Sequence, residues 1–405
     1  MSFLVLCRVC IIFVLPVALF YNQAGMLQVF SNQINLNMEK KNYGENSTVL
    51  KVEGALDGQQ VRELEFAMNA EQIFTLDFDK VTDINFAAMR GLLRCHQSGK
   101  HFFVVNVGDA VAEKFEDTGV GYVVSFCRKP KKLDLSKYEG FGAGFLSSAY
   151  NSADGDSMLK VYNHRVPQRL VAQEKNVARA ALLMGIPTPL VGTLYSDGEY
   201  TAVDFERIEG KVSFSRAITN NPERLEEIAI RFARICKKLH ATECNTTLFN
   251  DRTIYFRQAV VNDPVFNDEE KAKALAFLDS VPRATTCVHG DLQPGNVIMT
   301  PEGDMFIDMG DFGYGNPLLD IAMLYFQARL NSEEIIMHLF HIHKEQLERF
   351  WEIFVREYFD ARIPEKVAEV DLMMRPYAAL YMMYLGSTYG YEPHMPPFIR
   401  ETLMK

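Results

Sequence analysis

From residue 47 onward, apolar and polar residues fall into short runs that switch repeatedly between a period of two and a helical period. Residues 48–52 alternate as a strand, and Gly54-Ala-Leu-Asp-Gly turns the chain out of it. Val61, Leu64, Phe66 and Ala67 mark a helix over 61–70. Residues 73–78 form a short apolar strand, 87–93 begin a helix, His101–Val107 is another strand and 110–115 another helix. Strands and helices alternating in so short a stretch predict a small α/β sandwich over residues 47–128. Lys129-Pro-Lys-Lys-Leu is charged, aperiodic and interrupted by Pro, so residues 129–135 read as a linker.

The pattern then changes. Residues 136–209 begin as strand, glycine-rich turn, strand, tight turn and strand, through Gly140-Phe-Gly-Ala-Gly, Asp154-Gly155 and Ser157-Met-Leu-Lys-Val-Tyr. A helical stretch containing Glu174 follows and ends near Gly185-Ile-Pro, and residues 200–205 form a strand. Residues 210–405 are mainly helical. Leu225, Ile228 and Phe232 give 222–242 an apolar face, and 250–282 form a polar, helical insert. Residues 321–328, 332–341, 344–359 and 365–385 read as further helices, the last with a break or kink at Pro376. Among them sit two short apolar runs, 296–299 and 305–307, on either side of a turn at 301–303.

A length of 405 residues suggests two or three domains of about 150 residues each. The balance of 42 Lys+Arg against 52 Asp+Glu leaves a net charge of −10, which disfavours a duplex nucleic acid as partner and is compatible with a cationic small molecule. The seven cysteines are odd in number and scattered, and read as reduced thiols of a cytoplasmic protein. Residues 3–20 are apolar apart from Arg8, just long enough to span a bilayer, yet no positive charge precedes them as in a signal peptide. A membrane anchor is one reading. The other, adopted here, is a start codon placed too early, since Met26 and Met38 offer later starts. Residues 1–37 are then an extension, and no membrane partner is expected.

The chemistry concentrates in Val288-His-Gly-Asp-Leu-Gln-Pro-Gly-Asn and the Ile307-Asp308 that follows the second apolar run. The hairpin brings Asp291, Asn296 and Asp308 to one end. An acid, an amide and a second acid there suit holding Mg²⁺ against a nucleotide's phosphates and taking a proton from an attacking hydroxyl. Glycines at Gly140, Gly142 and Gly144 let a backbone lie close over phosphates, although a glycine triplet alone is usually just a turn. No G-x-x-x-x-G-K-[ST] occurs, which excludes a P-loop ATPase.

His289-Gly-Asp-Leu-Gln-Pro-Gly-Asn followed by Ile-Asp resembles the catalytic core of the aminoglycoside phosphotransferase/choline kinase-like group, relatives of the protein kinases. Gly290, where protein kinases carry Arg, marks the small-molecule branch. The resemblance implies a bilobal protein-kinase-like fold, with residues 136–209 as the N-lobe and 210–405 as the C-lobe. It makes Asp291 the catalytic base and Asn296 and Asp308 the metal ligands. Asp311-Phe-Gly spells the kinase D-F-G, but Asp308 stands at the strand end where this family keeps its metal acid. Lys160 matches the strand lysine that contacts the α/β-phosphates, Glu174 the carboxylate that pairs with it, and Glu206 to Ile208 the hinge whose backbone meets adenine. Asp320 resembles the family's structural aspartate, and His289 props its loop. Upstream, Leu76-Asp-Phe-Asp through Leu92-Leu resembles a STAS domain, with Asn85, Phe86, Ala87 and Ala88 where such domains carry a phosphorylatable switch.

These readings predict an ATP- and Mg²⁺-dependent phosphotransferase acting on a small-molecule hydroxyl, with choline, an amino sugar, an antibiotic or a similar alcohol all open as acceptors. A nucleotide-sensing binding protein and a protein Ser/Thr kinase are the alternatives. The STAS-like part either docks a partner or the kinase-like part, or is an inert fusion. Tyr377, Tyr381, Tyr384, Tyr389 and Tyr391 read as core packing rather than a cation cage. His338, His341 and His343 read as ordinary helix residues.

Overall fold

The structure, a computed structural model, describes residues 18–21, 27–31, 34–39, 47–68, 72–143, 147–164 and 166–404. Most of the apolar stretch at 3–20 lies outside them. Among the described residues no helix is long and apolar enough to cross a membrane. Contacts divide the chain into Met1–Pro130 and Lys131–Lys405.

The first unit is a seven-stranded sheet in the order β1 (Ala18–Tyr21), β2 (Leu27–Ser31), β3 (Ile34–Glu39), β4 (Ser47–Leu56), β5 (Ile73–Ile84), β6 (His101–Val107) and β7 (Phe126–Arg128). The first four strands run antiparallel, and β4 to β7 run parallel. Parallel neighbours need crossovers, and α1 (Gly58–Ala67), α2 (Phe86–Gln97) and α3 (Asp109–Asp117) supply them. Leu50, Leu64, Phe74, Leu76, Leu92 and Phe115 form its buried core.

Two local expectations shift. Gly54 does not end its strand: at φ +86° it sits within β4, where the ladder to β5 changes register. The first helix starts earlier because the Asp57 side chain accepts from the Gln59 and Gln60 N–H groups and Gln60 returns a bond to the cap. Asn85, at the switch position of the STAS resemblance, caps α2 by accepting from Ala88 N at 2.9 Å.

In the second unit, part of the expected linker is a strand: β8 (Lys131–Lys132) lies parallel to Tyr195–Ser196. It joins β9 (Tyr138–Ala143), β10 (Ser147–Ser152), β11 (Ser157–Tyr162), β12 (Val191–Ser196) and β13 (Thr201–Glu206) in the order β8-β12-β13-β11-β10-β9. Helix α4 (Gln168–Leu183) packs on β12 and β13. The helical half contains β14 (Val212–Ser213), α5 (Phe214–Asn220), α6 (Leu225–His240), α7 (Arg252–Asn262) and α8 (Asp268–Ser280), then β15 (Cys287–Val288), the hairpin β16 (Val297–Thr300) and β17 (Gly303–Phe306), and β18 (Gly313–Tyr314). Helices α9 (Pro317–Tyr325), α10 (Glu333–Phe340), α11 (Lys344–Tyr358), α12 (Pro364–Tyr389) and α13 (Met395–Leu403) complete it.

Burial at Leu225, Ile228, Phe232, Cys236 and Leu239 follows the helical period of α6 and faces Phe350 and Phe354 of α11. Of the break or kink expected at Pro376, the break does not occur. Helix α12 runs through it, with Met374, Ala378 and Ala379 fully buried on either side, so tertiary packing outweighs the lost hydrogen bond. The tyrosines pack as expected where Tyr377 meets Phe277 at 5.2 Å and Tyr391 meets Phe266 at 5.7 Å. Of the three histidines, His338 lies within α10 as expected, but His341 and His343 are the cap residues at the end of α10 and the start of α11, and His343 pairs with Glu333 at 2.8 Å in an exposed contact that ties the two helices.

Candidate active site

Strand β11 alternates, with Leu159 and Val161 buried on one face and Lys160 on the other. The Lys160 ammonium is 2.8 Å from a Glu174 carboxylate oxygen on α4 and also bonds Asp308. Burial alone would lower the lysine pKa, but the two carboxylates outweigh it and hold the ammonium charged well above the usual range. Asp308 shows the mirror result: burial pushes its carboxyl up, and Lys160 pulls it below the ordinary value. Its backbone is left-handed at φ 58°, which aspartate tolerates, and its side chain keeps 45% of its surface open. The tight turn Met309–Asp311 then packs on α4, where Gly310 lies against the Glu174 side chain.

Asp291 and Asn296 stand at the same end of the hairpin as Asp308, where Ile307 N donates to Asn296 O at 2.9 Å. Asn296 is buried, and its Nδ2 donates to Asp291 Oδ2 at 2.8 Å and to Asp291 O at 3.0 Å. Burial, with Asp311 and Asp308 adding repulsion, pushes the Asp291 carboxyl up to about 7.

The loop before Asp291 is held by Asp320, at the start of α9. Its carboxylate accepts from His289 N and Gly290 N, each at 2.7 Å, and pairs with His240 Nε2 at 3.0 Å. Burial alone would raise this carboxyl, but the bond and charge of His240 bring it below the ordinary value. His240 Nδ1 meets Tyr358 OH at 2.7 Å, so α6, α9 and α11 all anchor the loop. His289 is fully buried. Its Nδ1 accepts from Asp291 N at 3.3 Å, which leaves Nε2–H to donate to Ile307 O at 3.0 Å, and burial keeps the ring neutral.

The structure thus brings together Asp291, Asn296, Asp308, Lys160 and Glu174. It treats the other expected residues differently. Gly140 pairs with Tyr150, and a β-carbon there would lie 3.3 Å from the Tyr150 ring, so the ring is reason enough for a glycine. Gly142 pairs with Ala149 beyond a register shift, and Gly144 lies outside the described residues. The Glu206 carboxylate accepts from Leu190 N at 2.7 Å, so its side chain is used in tying β13 to the segment before β12. Ile208 follows two residues later as irregular backbone.

The sequence reading gave three further residues no role at the site. Asp311 sits beside the site, and Arg252 holds it at 2.8 Å. Tyr381, fully enclosed in the helical half, feels both Asp291 and Asp311, which add to burial in raising its phenol. His240 could be read only as a helix end. Local spacing gives none of them this role, because their partners lie 59, 80 or 90 residues away in sequence.

The sequence model of the phosphotransferase enzyme family (APH) matches residues 137–368. The chain belongs to that family. Among solved structures, a thermostable mutant of the aminoglycoside phosphotransferase APH(4)-Ia, in complex with ADP and hygromycin B, shares 16% identity. That match covers 65% of this chain and 94% of the other, at a TM-score of 0.44. The aminoglycoside phosphotransferase APH(3'')-Id from Streptomyces rimosus, in complex with ADP and streptomycin, shares 19% identity over 60% of this chain and 94% of its own, with a TM-score of 0.40. No curated protein matches. Membership of the phosphotransferase family rests on the family match, which leaves the amino-terminal unit outside it.

Proposed function

We propose that this phosphotransferase moves the γ-phosphate of ATP to the hydroxyl of a small, amine-bearing molecule. The observation that carries the reading is the double pairing of Lys160 with Glu174 and Asp308, across from an Asp291 oriented by Asn296. Lys160 is charged and fixed, suited to bind the α/β-phosphates. The backbone around Gly142 would lie over the phosphates, and that of Glu206 to Ile208 would meet the adenine.

The donor set fits magnesium. Asp308 presents a partly open carboxylate, and Asn296 offers Oδ1 because its Nδ2 is engaged by Asp291. One carboxylate and one amide, with phosphate oxygens and water, is how this ion is usually held. When bound, Mg²⁺ supplies charge neutralisation at the transferring phosphoryl group.

Asp291 acts as the base. Its carboxyl sits near neutrality, and Asn296 aims Oδ2, so it can orient the acceptor hydroxyl and take its proton as the phosphate is attacked. Most of the acceleration then comes from positioning and charge. The Asp311 carboxylate is paired with Arg252 through one oxygen but keeps 44% of its side chain exposed, which leaves it able to meet a positively charged acceptor. The amino-terminal unit, STAS-like by sequence, would serve as a docking module for a protein partner, and dependence on ATP would suit a cytoplasmic enzyme.

A panel of small amino-alcohols and amino sugars, screened for ADP release with Mg·ATP, tests the proposal. An acceptor that releases ADP with the wild type and not with Asp291→Asn supports it. Nucleotide binding without phosphate transfer to any acceptor or to water would instead favour a nucleotide sensor.

A further inference from the structure

The first turn of α7 makes a second bridge across the site, parallel to the one made by Lys160. Arg252 is 4% exposed, and its Nη2 lies 2.8 Å from Asp311 Oδ1. Its guanidinium stacks on the Tyr255 ring, with Cζ 4.2 Å from the centroid. The Tyr255 hydroxyl accepts from Gln173 Nε2 of α4 at 3.3 Å and from Asn250 Nδ2 at 3.1 Å. Asn250 in turn accepts from Tyr314 N at 3.1 Å, just past the turn that carries Asp311.

The sequence neighbours of these contacts matter. Gln173 adjoins Glu174, and Asp311 lies three residues beyond Asp308. Lys160 therefore joins Glu174 to Asp308, while Tyr255 and Arg252 join the adjacent positions of the same two elements. The local packing leaves little slack. A β-carbon on Gly313 would lie 3.2 Å from Arg252 Cγ, and one on Gly310 would lie 3.4 Å from Glu174 Cγ. Arg252 Nε is buried without a hydrogen-bond partner, while Asp311, Tyr384 and Tyr255 together keep the enclosed guanidinium charged against the cost of burial. A core built only for stability would more simply place an apolar residue there.

We propose that Arg252 and Tyr255 are positioning residues. From the helical insert they hold α4 against the Asp308 turn, and so set the spacing of Glu174 and Asp308 around Lys160. They act through those residues and touch no reacting atom. The family resemblance puts the insert on the acceptor side, so on this proposal the acceptor side shapes the nucleotide side. The functional consequence rests on the phosphotransferase reading above, whereas the mechanical link does not.

The test uses the full chain with Tyr255→Phe, which keeps the ring and removes the hydroxyl, and with Gln173→Leu and the double variant. Hydrogen exchange without ligand reads the link itself. Amides of α4 and of Met309–Asp311 should exchange faster in Tyr255→Phe while those of the β16–β17 hairpin stay unchanged. Titration with Mg·ADP alone reads the consequence. Each single variant should bind about three- to tenfold more weakly, and the double variant no more weakly than either single. Arg252→Lys should behave like the single variants, because an ammonium cannot both stack and fork. Unchanged exchange in α4 would overturn the proposal whatever the nucleotide does. Faster exchange with unaltered Mg·ADP affinity would also overturn it, leaving a merely structural contact. A wild type that binds no Mg·ADP would sink the phosphotransferase reading separately, and exchange would still decide the link.

Discussion

Gly290 lies against Asp311 so closely that a β-carbon on it would come 2.6 Å from Asp311 Cβ and 2.8 Å from its carbonyl carbon. The loop that carries Asp291 and the turn that follows Asp308 are therefore in backbone contact. The left-handed φ of +86° adds a second reason for glycine.

Gly290→Ala should accordingly cost about 2–4 kcal/mol of stability through strain and overlap. It should also lower turnover by more than that loss explains, because the loop must move away from Asp311. Thermal melting and steady-state rates on the same sample check both. A variant with wild-type melting and wild-type rates would show that the contact constrains neither the fold nor the loop.

Asp320 gives a test on stability and pH. Its folded pKa lies below the ordinary value, so the stability it contributes is present above the unfolded value of about 3.9 and is lost as pH falls through the lower folded pKa. Asp320→Asn should cost about 3–5 kcal/mol at neutral pH, since it breaks the buried pair with His240 and weakens the hold on His289 N and Gly290 N. Urea midpoints measured from neutral pH down to the acid limb should fall steeply in the wild type and more gently in the variant.

Asp291 carries the opposite sign. With its carboxyl raised to about 7, the folded chain keeps a proton that the unfolded chain has released, so this group costs stability as pH rises between the two values. Asp291→Asn should be more stable than the wild type at pH values above about 7, with no such gain near pH 4. It should also lose about a hundred- to ten-thousandfold in kcat while retaining nucleotide affinity. Denaturant melts at the two pH values, beside ADP-release rates, decide it.

Wild-type turnover should rise with pH through the Asp291 ionisation, and Asp311→Asn should move that rise to lower pH because it removes the larger of the two repelling charges. A rate profile of kcat/KM against pH for the two proteins measures the displacement. An unmoved or upward-moved midpoint would contradict the assignment.

Lys160→Ala should weaken Mg·ADP binding by about ten- to a hundredfold and leave the carboxylates of Glu174 and Asp308 facing one another. Asp308→Ala should abolish Mg²⁺-dependent turnover while the chain stays folded. Calorimetric titration and magnesium dependence of the rate provide the two readings.

Much of this was legible in one dimension. The hairpin, its acid-amide-acid set and the lysine strand rest on local spacing, because consecutive strands pair and a period-two pattern places side chains on known faces. Helix α6 announced itself through its apolar period. Local pattern was weakest where capping or packing moved a boundary. Asp57 started α1 early, Gly54 became an irregularity within a strand, and α12 ran through Pro376.

Distant partners were beyond the reach of periodicity. The meeting of Arg252 with Asp311, of His240 with Asp320 and of Gln173 with Tyr255 depends on how helices far apart in sequence come to share one buried space. Spacing along a chain fixes which face a residue occupies, but not which face of another element will cover it. The raised carboxyl of Asp291 is of that second kind, since neighbouring charge and exclusion of water exist only once the chain has closed around it.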